Sequence, residues 1–459
     1  MRLFLIFLLA ASCACAKKPN IVVVFIDDMG WGDFSCFGNT TAETDHIDRL
    51  AEEGLRFHHF YVNSPICSPS RTALTTGQYP QRWRITSYLS NRKHNRQRGV
   101  AQWLDPKAPT LPRILQMNGY ATGHFGKWHM GGQRDVGDAP LITEYGFDES
   151  LTNFEGLGDR VLALKHTPDG GEPKKHVLGS DTLGRGILHW VDRPLVTEAF
   201  VTDALEFIGG ARRAGKPFYI NLWPDDVHTP VVPPLDKWGD GKPRTLYNAV
   251  LETMDEQLGV LFDRIRNDEA LRDNTLVVVC SDNGPEVGYG LPGPFRGAKA
   301  TLFEAGVRSP LVVWGPGLIP EDRAGRVNTT SAFSAMDLVP SLLAIAEVQP
   351  PEGVRFDGEN LAGTLLGKSE AGREAPLFFR RPPDRENFRH FKGLPDLAVR
   401  DGKWKFYVEY DRSRPRLYDL AADQGEATNL AAEHPEVVAR LTKAVFAWNA
   451  GMPADAGSK

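Results

Sequence analysis

The chain has 459 residues, of which 41% are hydrophobic and 24% are charged. This composition is typical of a globular protein, and the length suffices for one large α/β domain plus something smaller. The formal net charge of −5 provides no basic field, which argues against nucleic acid as a partner. Local basic residues must therefore carry any anion binding.

The N-terminus, MRLFLIFLLAASCACAKKPN, has the pattern of a secretory signal peptide: one arginine, an apolar run and then small residues. We assign residues 1–16 to this signal and expect an exported protein, periplasmic or secreted. The tripeptide ACA at 14–16 fits a cleavage site, whereas residues 9–13 form an imperfect bacterial lipoprotein site. A lipid anchor therefore stays open as the alternative. The apolar run is too short to span a bilayer as a helix.

Three cysteines follow the leader: Cys36, Cys67 and Cys280. An odd and sparse count predicts no disulfide framework. Cys280 lies in the apolar run TLVVVCS, which indicates a buried strand position. Cys67 lies among serines and prolines, where burial in a core explains little.

Apolar runs rich in β-branched residues predict strands, and amphipathic segments between them predict helices. In chain order these are a strand at 20–27, helices at 44–54 and 110–119, a strand at 216–223, a helix at 247–267, and strands at 274–281 and 309–315. The alternation predicts an α/β fold with a large, mainly parallel sheet sandwiched by helices. In such sheets the functional site lies at the carboxyl ends of the strands. Polar clusters directly follow three of these strands.

The segment 155–195 is rich in glycine, histidine and charge, and its periodicity is weak. We interpret it as a long loop or insertion that contributes to substrate specificity. A turn-rich stretch at 347–367 closes the large domain, which we assign to 19–367.

A smaller C-terminal subdomain is predicted at 368–459. Residues 397–420 alternate as antiparallel strands do, and 435–449 has the pattern of a closing amphipathic helix.

A helix is predicted to begin at Cys67, because Ser68 followed by Pro69 is a favourable N-cap and first-turn pair. Free N–H groups and the helix dipole at this position favour an anion. Arg71, four residues on, projects near Cys67. The segment thus combines a nucleophile position, an anion pocket and a guanidinium. A structural cysteine beside a solvated arginine is the alternative for this motif alone.

Four oxygen-bearing side chains follow two of the predicted strands. They are Asp27, Asp28, Asp282 and Asn283. Such oxygens suit a hard divalent cation, calcium before magnesium. Turn chemistry is the alternative for either pair alone, since Asp and Asn are common at strand ends. Together with Cys67, the pattern favours a metal site.

The segment GHFGKWHMGG carries Lys127 and His129, which share a face if the chain is extended. An ammonium and an imidazole on one face suit anion binding with proton transfer, although an exposed basic loop is the alternative. His228 in DDVHTP and Lys299 in FRGAKATLFEAG are further candidates, and taken singly each also fits a structural role.

The sequence resembles the formylglycine-dependent sulfatases of the alkaline-phosphatase-like superfamily, from about residue 19 to 449. NIVVVFIDDMGWGDFSCFGN resembles the opening strand and metal loop of that family, and CSPSRTALTTGQYP its signature. GYATGHFGKWHMG and SDNG resemble the second motif and the second metal motif. The resemblance implies an alkaline-phosphatase-like fold, with a catalytic sulfatase domain over 19–367.

The resemblance further implies that a maturation enzyme converts Cys67 to formylglycine, whose hydrate supplies the attacking hydroxyl. One calcium ion is implied, held by the modified Cys67 with Asp27, Asp28, Asp282 and Asn283.

The remaining implied roles concern charge and protons. Arg71 and Lys127 would hold the hydrate, and His129 would act as the base that triggers sulfate release. His228 would protonate the leaving alcohol, assisted by Lys299, which also binds sulfate. We find no clear counterpart of a family serine or threonine near the sulfate.

We therefore expect an exported sulfatase that acts on sulfated carbohydrate of the galactose or N-acetylgalactosamine type. A phosphatase or phosphonate monoester hydrolase of the same superfamily is the enzymatic alternative, although the second metal-ligand set of phosphatases is not evident. A non-catalytic glycan-binding relative is the alternative from another class. It would be favoured by loss of Cys67, His129 or His228, and all three are present.

Overall fold

Runs of valine, isoleucine and aromatic residues form a twelve-stranded sheet in the computed structural model, which describes residues 18–384, 391 and 393–457. Its strands are β1 (Asn20–Ile26), β2 (Leu55–Tyr61), β3 (Ala121–Gly126), β4 (Glu149–Thr152), β5 (Asp159–Lys165), β6 (Lys174–His176), β7 (Leu188–Asp192), β8 (Phe218–Trp223), β9 (Thr275–Ser281), β10 (Arg308–Trp314), β11 (Arg326–Asn328) and β12 (Phe333–Ser334). A four-stranded sheet follows, with β13 (Leu377–Arg380), β14 (Leu397–Asp401), β15 (Trp404–Val408) and β16 (Arg416–Asp419). The helices are α1 (Asp45–Glu53), α2 (Cys67–Thr76), α3 (Arg92–Arg98), α4 (Leu111–Met117), α5 (Val196–Arg213), α6 (Pro243–Arg266), α7 (Glu269–Arg272), α8 (Glu304–Val307), α9 (Ala335–Ile345), α10 (Ala362–Leu365) and α11 (Pro435–Ala450).

The large sheet is mainly parallel. Its order is β11-β2-β10-β9-β1-β8-β3-β4-β5-β6, with β12 beside β2 and β7 beside β5. The five strands β9, β1, β8, β3 and β4 run parallel to one another, whereas β10 is antiparallel to both β9 and β2. All four predicted strands are present, and the predicted α/β fold is confirmed.

Helices cover both faces of this sheet, which explains why its central strands are mostly apolar and buried. Ile21 and Val23 of β1 belong to the core on one face, where α2, α4 and α9 pack. Val22 and Val24 belong to the core on the other face, beneath α5 and α6. The strand β1 is therefore fully buried.

The prediction of a loop over 155–195 is wrong. Strands β5, β6 and β7 lie in this segment and extend the large sheet beyond β4. These strands lie at the edge of the sheet, where charged and half-exposed side chains are common. The polar composition that indicated a loop is therefore the composition of edge strands.

The smaller sheet is an antiparallel meander in the order β13-β14-β15-β16, and α11 packs on it through Leu441 and Val445. The predicted strands at 397–420 and the predicted helix at 435–449 are confirmed. The strand β13 was not predicted.

The predicted signal peptide, residues 1–16, lies outside the described residues, as does the alternative lipoprotein site. Among the helices that the structure describes, none combines the length and apolar character that crossing a membrane requires.

The fully buried His124 of β3 makes the fold sensitive to acid. Its ring packs edge-on against Trp128 and Trp223, with ring centroids 5.2 and 5.0 Å away. Burial, reinforced by the charge of Arg71, lowers the pKa of His124 from 6.5 to about 3. The folded protein thus keeps this ring neutral at a pH where the unfolded chain protonates it.

Stability is therefore lost as the pH falls below 6.5, by about 1.4 kcal/mol per pH unit from this one group. We expect His124→Gln to reduce the loss of unfolding free energy between pH 6.5 and pH 5 by about 2 kcal/mol. Urea unfolding of both proteins at the two pH values measures the difference. Identical pH dependence in both proteins would contradict the prediction.

Candidate active site

The sequence-predicted site residues meet at the carboxyl ends of four adjacent parallel strands. Asp27 and Asp28 follow β1, Lys127 and His129 follow β3, His228 follows β8, and Asp282 and Asn283 follow β9. Cys67 and Arg71 enter from the first turns of α2, and Lys299 enters from the loop before α8. The fold brings together residues that are up to 272 positions apart in the chain, from Asp27 to Lys299.

Cys67 is the first residue of α2, and the residue in the N-cap position is Ile66 rather than the predicted Ser68. The Ser68 hydroxyl instead accepts a hydrogen bond from the backbone N–H of Leu89, at 2.9 Å. Pro69 is tolerated in the first turn because backbone N–H groups there have no helical partner.

The Cys67 thiol is buried, with 2% of the residue exposed, and its Sγ lies 4.0 Å from Asp28 Oδ1. Burial, together with the charge of Asp27, raises the pKa of this thiol well above its usual range. A thiol that stays protonated is a poor nucleophile. The unmodified cysteine is therefore unsuited to attack an ester itself.

Arg71 joins the two aspartate loops. Its Nη2 donates to Asp282 Oδ2 at 2.8 Å and to Asp27 Oδ1 at 3.0 Å, and its Nε donates to Asp282 Oδ2 at 3.1 Å. Nη1 donates to the carbonyl of Lys127 at 2.8 Å. Burial lowers the pKa of the guanidinium, but Asp282 and Asp27 outweigh this effect and raise it. The fully buried side chain is thus a fixed positive charge.

Two lysines each contact one of the paired aspartates. Lys127 Nζ donates to Asp27 Oδ2 at 2.6 Å, and Lys299 Nζ donates to the Asp28 carboxylate. Burial lowers the pKa of Lys299, but Asp28 and other anionic neighbours raise it overall, so the ammonium stays charged. Both side chains can therefore contribute positive charge to an anion pocket.

His228 lies at the more open side of the site, with 25% of its side chain exposed. Its Nδ1 lies 2.7 Å from the carbonyl of Thr229, so this nitrogen carries the proton that it donates. Nε2 lies 3.4 Å from Asp28 Oδ2 and faces the site. Nε2 is therefore the atom that can exchange a proton with a bound molecule.

Glu155 is a site residue that the sequence analysis did not find. Its Oε2 lies 2.9 Å from Lys127 Nζ and 2.9 Å from His129 Nδ1. Burial raises the pKa of this carboxyl, but His129 and Lys127 outweigh burial and lower it. Glu155 follows the carboxyl end of β4, and its position was the available signal. Because 155–195 was interpreted as a loop, Glu155 was not recognised as a residue that follows a strand.

His129 has acceptors near both ring nitrogens. Nδ1 faces Glu155, and Nε2 lies 3.0 Å from the carbonyl of Leu89. Burial lowers the pKa of the imidazole, which favours its neutral form.

Two site residues hold strained backbone conformations. Asp28 and His129 have φ of 59° and 54°, in the left-handed region that residues other than glycine rarely adopt. Such conformations cost about 1–3 kcal/mol each and persist only where the surroundings enforce them. Here they turn both side chains into the site.

The residues present fit a divalent cation. Ligand atoms of Asp27, Asp28, Cys67 and Asp282 all lie within 4.8 Å of one another. The buried Oδ1 of Asn283 has no hydrogen-bond partner among the described residues, while its Nδ2 donates to Asp28 Oδ1 at 2.8 Å. Burial and the neighbouring Asp27 raise the pKa of Asp282 well above its usual range. A cation would relieve this repulsion, and the oxygen donors suit calcium.

This fold and site define a hydrolase of anionic esters with the alkaline-phosphatase-like architecture. The chain belongs to the sulfatase family, because the family model described as Sulfatase matches residues 19–348. The resemblance stated from the sequence is thereby confirmed, and the protein is an enzyme of this family.

Its curated relatives cover nearly the whole chain. The N-acetylgalactosamine-6-O-sulfatase of Bacteroides thetaiotaomicron is 29% identical over 93% of this chain and 92% of the relative. The human N-acetylgalactosamine-6-sulfatase is 31% identical over 94% and 85%, and human arylsulfatase A is 31% identical over 95% and 89%.

Solved structures agree with the fold. Ps i-CgsB in complex with k-i-k-neocarrahexaose superposes with a TM-score of 0.77 at 25% identity, covering 94% of this chain and 93% of that one. A sulfatase structure from a study of glycosaminoglycan metabolism by Bacteroides thetaiotaomicron gives 0.74 at 26% identity, covering 94% and 99%. The phosphonate monoester hydrolase of Agrobacterium radiobacter, at 20% identity, 0.65, and 95% and 96% coverage, shares the fold alone.

Proposed function

We propose that this sulfatase is an exported enzyme that hydrolyses sulfate esters of galactose- or N-acetylgalactosamine-type glycans. It would use one calcium ion and a formylglycine made from Cys67 by a maturation enzyme. The observation that carries the proposal is the position of Cys67, buried at the start of α2 with its Sγ 4.0 Å from an aspartate oxygen. Burial and the charge of Asp27 raise the pKa of the thiol there and disfavour the thiolate, which gives its conversion a chemical purpose.

The glycan assignment draws on the relatives. Two of them are named for N-acetylgalactosamine 6-sulfate, and one solved neighbour holds a carrageenan-type hexasaccharide. The leader at 1–16 supports export. We further propose 19–367 as the catalytic domain and 368–459 as the C-terminal subdomain.

Calcium, held by Asp27, Asp28, Asp282, Asn283 and the modified residue 67, would supply positive charge that polarises the sulfate. Formylglycine would supply the nucleophilic hydroxyl. Within the described ranges, a second group of side chains that could hold a metal ion, Asp27, Cys67 and His228, shares Asp27 and Cys67 with the first group. The two groups therefore define one ion site and not a pair.

The side chains of the site perform the remaining steps. Arg71 and Lys127 hold the formylglycine hydrate and offset developing negative charge, and Lys299 binds the sulfate and assists His228. His228, when protonated on both ring nitrogens, delivers the proton on Nε2 to the ester oxygen as the bond to sulfur breaks, so the product leaves as an alcohol and the ring keeps its Nδ1 proton. His129, neutral in its buried position, accepts the proton whose loss releases sulfate.

The test is sulfate release from a panel of position-defined sulfated monosaccharides, with calcium and a co-expressed maturation enzyme. Release from a galactose- or N-acetylgalactosamine-type sulfate supports the proposal. No release from any member, when peptide mass identifies residue 67 as an aldehyde, contradicts this substrate class.

Calcium removal is expected to lower the melting temperature by about 3 °C, because an ion present at about 100 times its Kd contributes about 2.7 kcal/mol. Differential scanning fluorimetry with chelator, followed by added calcium, measures this shift. Asn283→Ala should reduce the shift because it removes the unpartnered Oδ1. Asn248→Ala is the matched control and should retain it, because this half-buried asparagine of α6 donates to the carbonyl of Thr41 and is not among the proposed ligands. An equal shift in both variants would contradict the assigned site.

A further inference from the structure

Glu155 adds a negative charge to a pocket that must bind an anion. Its Oε2 touches both Lys127 Nζ and His129 Nδ1 at 2.9 Å, and 12% of its side chain is exposed. A carboxylate in this place weakens the attraction of the pocket for negative charge. The proposed steps of the reaction give it no role.

The backbone of Glu155 is held independently of the carboxylate. Its carbonyl accepts hydrogen bonds from the N–H of His129 at 2.8 Å and from Gln133 Nε2 at 2.9 Å. Its own N–H donates to Asn153 Oδ1 at 3.1 Å. The side chain is therefore not required to hold this loop, and its charge can be altered without removing these contacts.

The sum of the formal charges in the site indicates a role for the Glu155 carboxylate. Three cations face four carboxylates, which leaves a net charge of −1 with both histidines counted neutral; these groups are Arg71, Lys127 and Lys299, and Asp27, Asp28, Asp282 and Glu155. A bound divalent cation and the proton that His228 must carry on Nε2 to protonate the leaving alcohol change this net charge to +2. A sulfate monoester carries one negative charge, whereas a phosphate monoester carries two once its second proton is lost. Glu155 lowers the positive charge of the loaded site by one unit, which weakens its attraction for a doubly charged phosphate ester more than for a singly charged sulfate ester.

We propose that Glu155 is a specificity-determining residue that lowers the charge of the anion pocket by one unit and thereby selects sulfate esters over phosphate esters. The inference rests on the proposed calcium site, because the divalent ion enters the charge count. Sulfate esters and phosphate esters have the same tetrahedral shape. The proposal is that the single side chain of Glu155 distinguishes them by charge.

The test compares two small anions of one shape, methanesulfonate with one negative charge and methylphosphonate with two above its second ionisation. Calorimetry on calcium-loaded Cys67→Ala protein gives the Kd of each anion without requiring turnover. We expect Glu155→Gln in this background to change the ratio of the two Kd values at least about tenfold in favour of methylphosphonate. In the matured enzyme, kcat/KM for a phosphate ester should rise relative to a sulfate ester by a similar factor.

Two control variants are needed. One changes the side chain of residue 155 but keeps its charge, and the other removes one negative charge from a position outside the pocket. Glu155→Asp keeps the carboxylate and should leave the ratio within about twofold of wild type. Glu149→Gln removes the same charge from the exposed first residue of β4 and should also leave it unchanged. An unchanged ratio in Glu155→Gln overturns the proposal, as does an equal change in Glu155→Asp. Absence of sulfate ester hydrolysis by the matured wild-type enzyme would instead contradict the proposed function.

Discussion

Replacement of Cys67 by alanine is expected to abolish sulfate release, with a loss in kcat/KM of at least about 10⁴-fold. The proposed formylglycine is made from this side chain, and Cys67 is the single cysteine of α2. The measurement is sulfate release from the best substrate of the panel, after co-expression with a maturation enzyme. Residual activity above this limit would contradict the role of Cys67 as the nucleophile precursor.

Cys280 provides the matched control. It is also fully buried, but it lies within β9, where it packs in the core of the large sheet. Cys280→Ala should therefore retain activity and lose only stability. A Cys67→Ala protein that still shows the calcium-dependent melting shift would demonstrate that its inactivity reflects lost chemistry and not lost folding.

Replacement of Lys405 by methionine is expected to lower the free energy of unfolding by about 3–5 kcal/mol. Lys405 Nζ of β15 donates to Glu304 Oε1 of α8 at 2.7 Å, and both side chains are fully buried. Burial raises the pKa of Glu304, but Lys405 and Arg308 outweigh it and lower the pKa to about 2. Loss of the ammonium would leave a buried carboxylate without its main counter-charge.

Lys403 is the matched control for this ion pair. It precedes β15 and pairs with Asp419 at 2.5 Å, but 53% of its side chain is exposed. Lys403→Met should cost less than about 1 kcal/mol, because solvent screens exposed ion pairs. Urea unfolding measures both variants. A Lys405 variant as stable as the Lys403 variant would show that the pair does not hold the small sheet against α8.

The double variant Glu304→Gln with Lys405→Met removes both charges. We expect it to recover at least about 1 kcal/mol relative to Lys405→Met alone, because the unpaired carboxylate is gone. Tyr61 Oη, which donates to Glu304 Oε2 at 2.8 Å, can still donate to the glutamine oxygen.

The sequence predicted the centre of the sheet because its signals are local. A strand buried on both faces is mostly apolar along its length, so the composition of β1, β8 and β9 predicts them. Edge strands are covered less completely and can carry charge, so β5, β6 and β7 were taken for a loop. Central strands and edge strands differ in how completely they are buried, and the sequence does not show burial directly.

The same reasoning applies to the site. Asp27, Lys127 and Asp282 directly follow strands, and a parallel sheet carries all such positions to one edge, so the sequence alone determined which side chains gather there.

Only the tertiary structure decided which charged side chains of the site lie against one another. The strand order places β4 next to β3, and this neighbourhood puts the carboxylate of Glu155 against Lys127 and His129. Partners of this kind depend on strand order and on distances of a few ångströms, which no local pattern encodes.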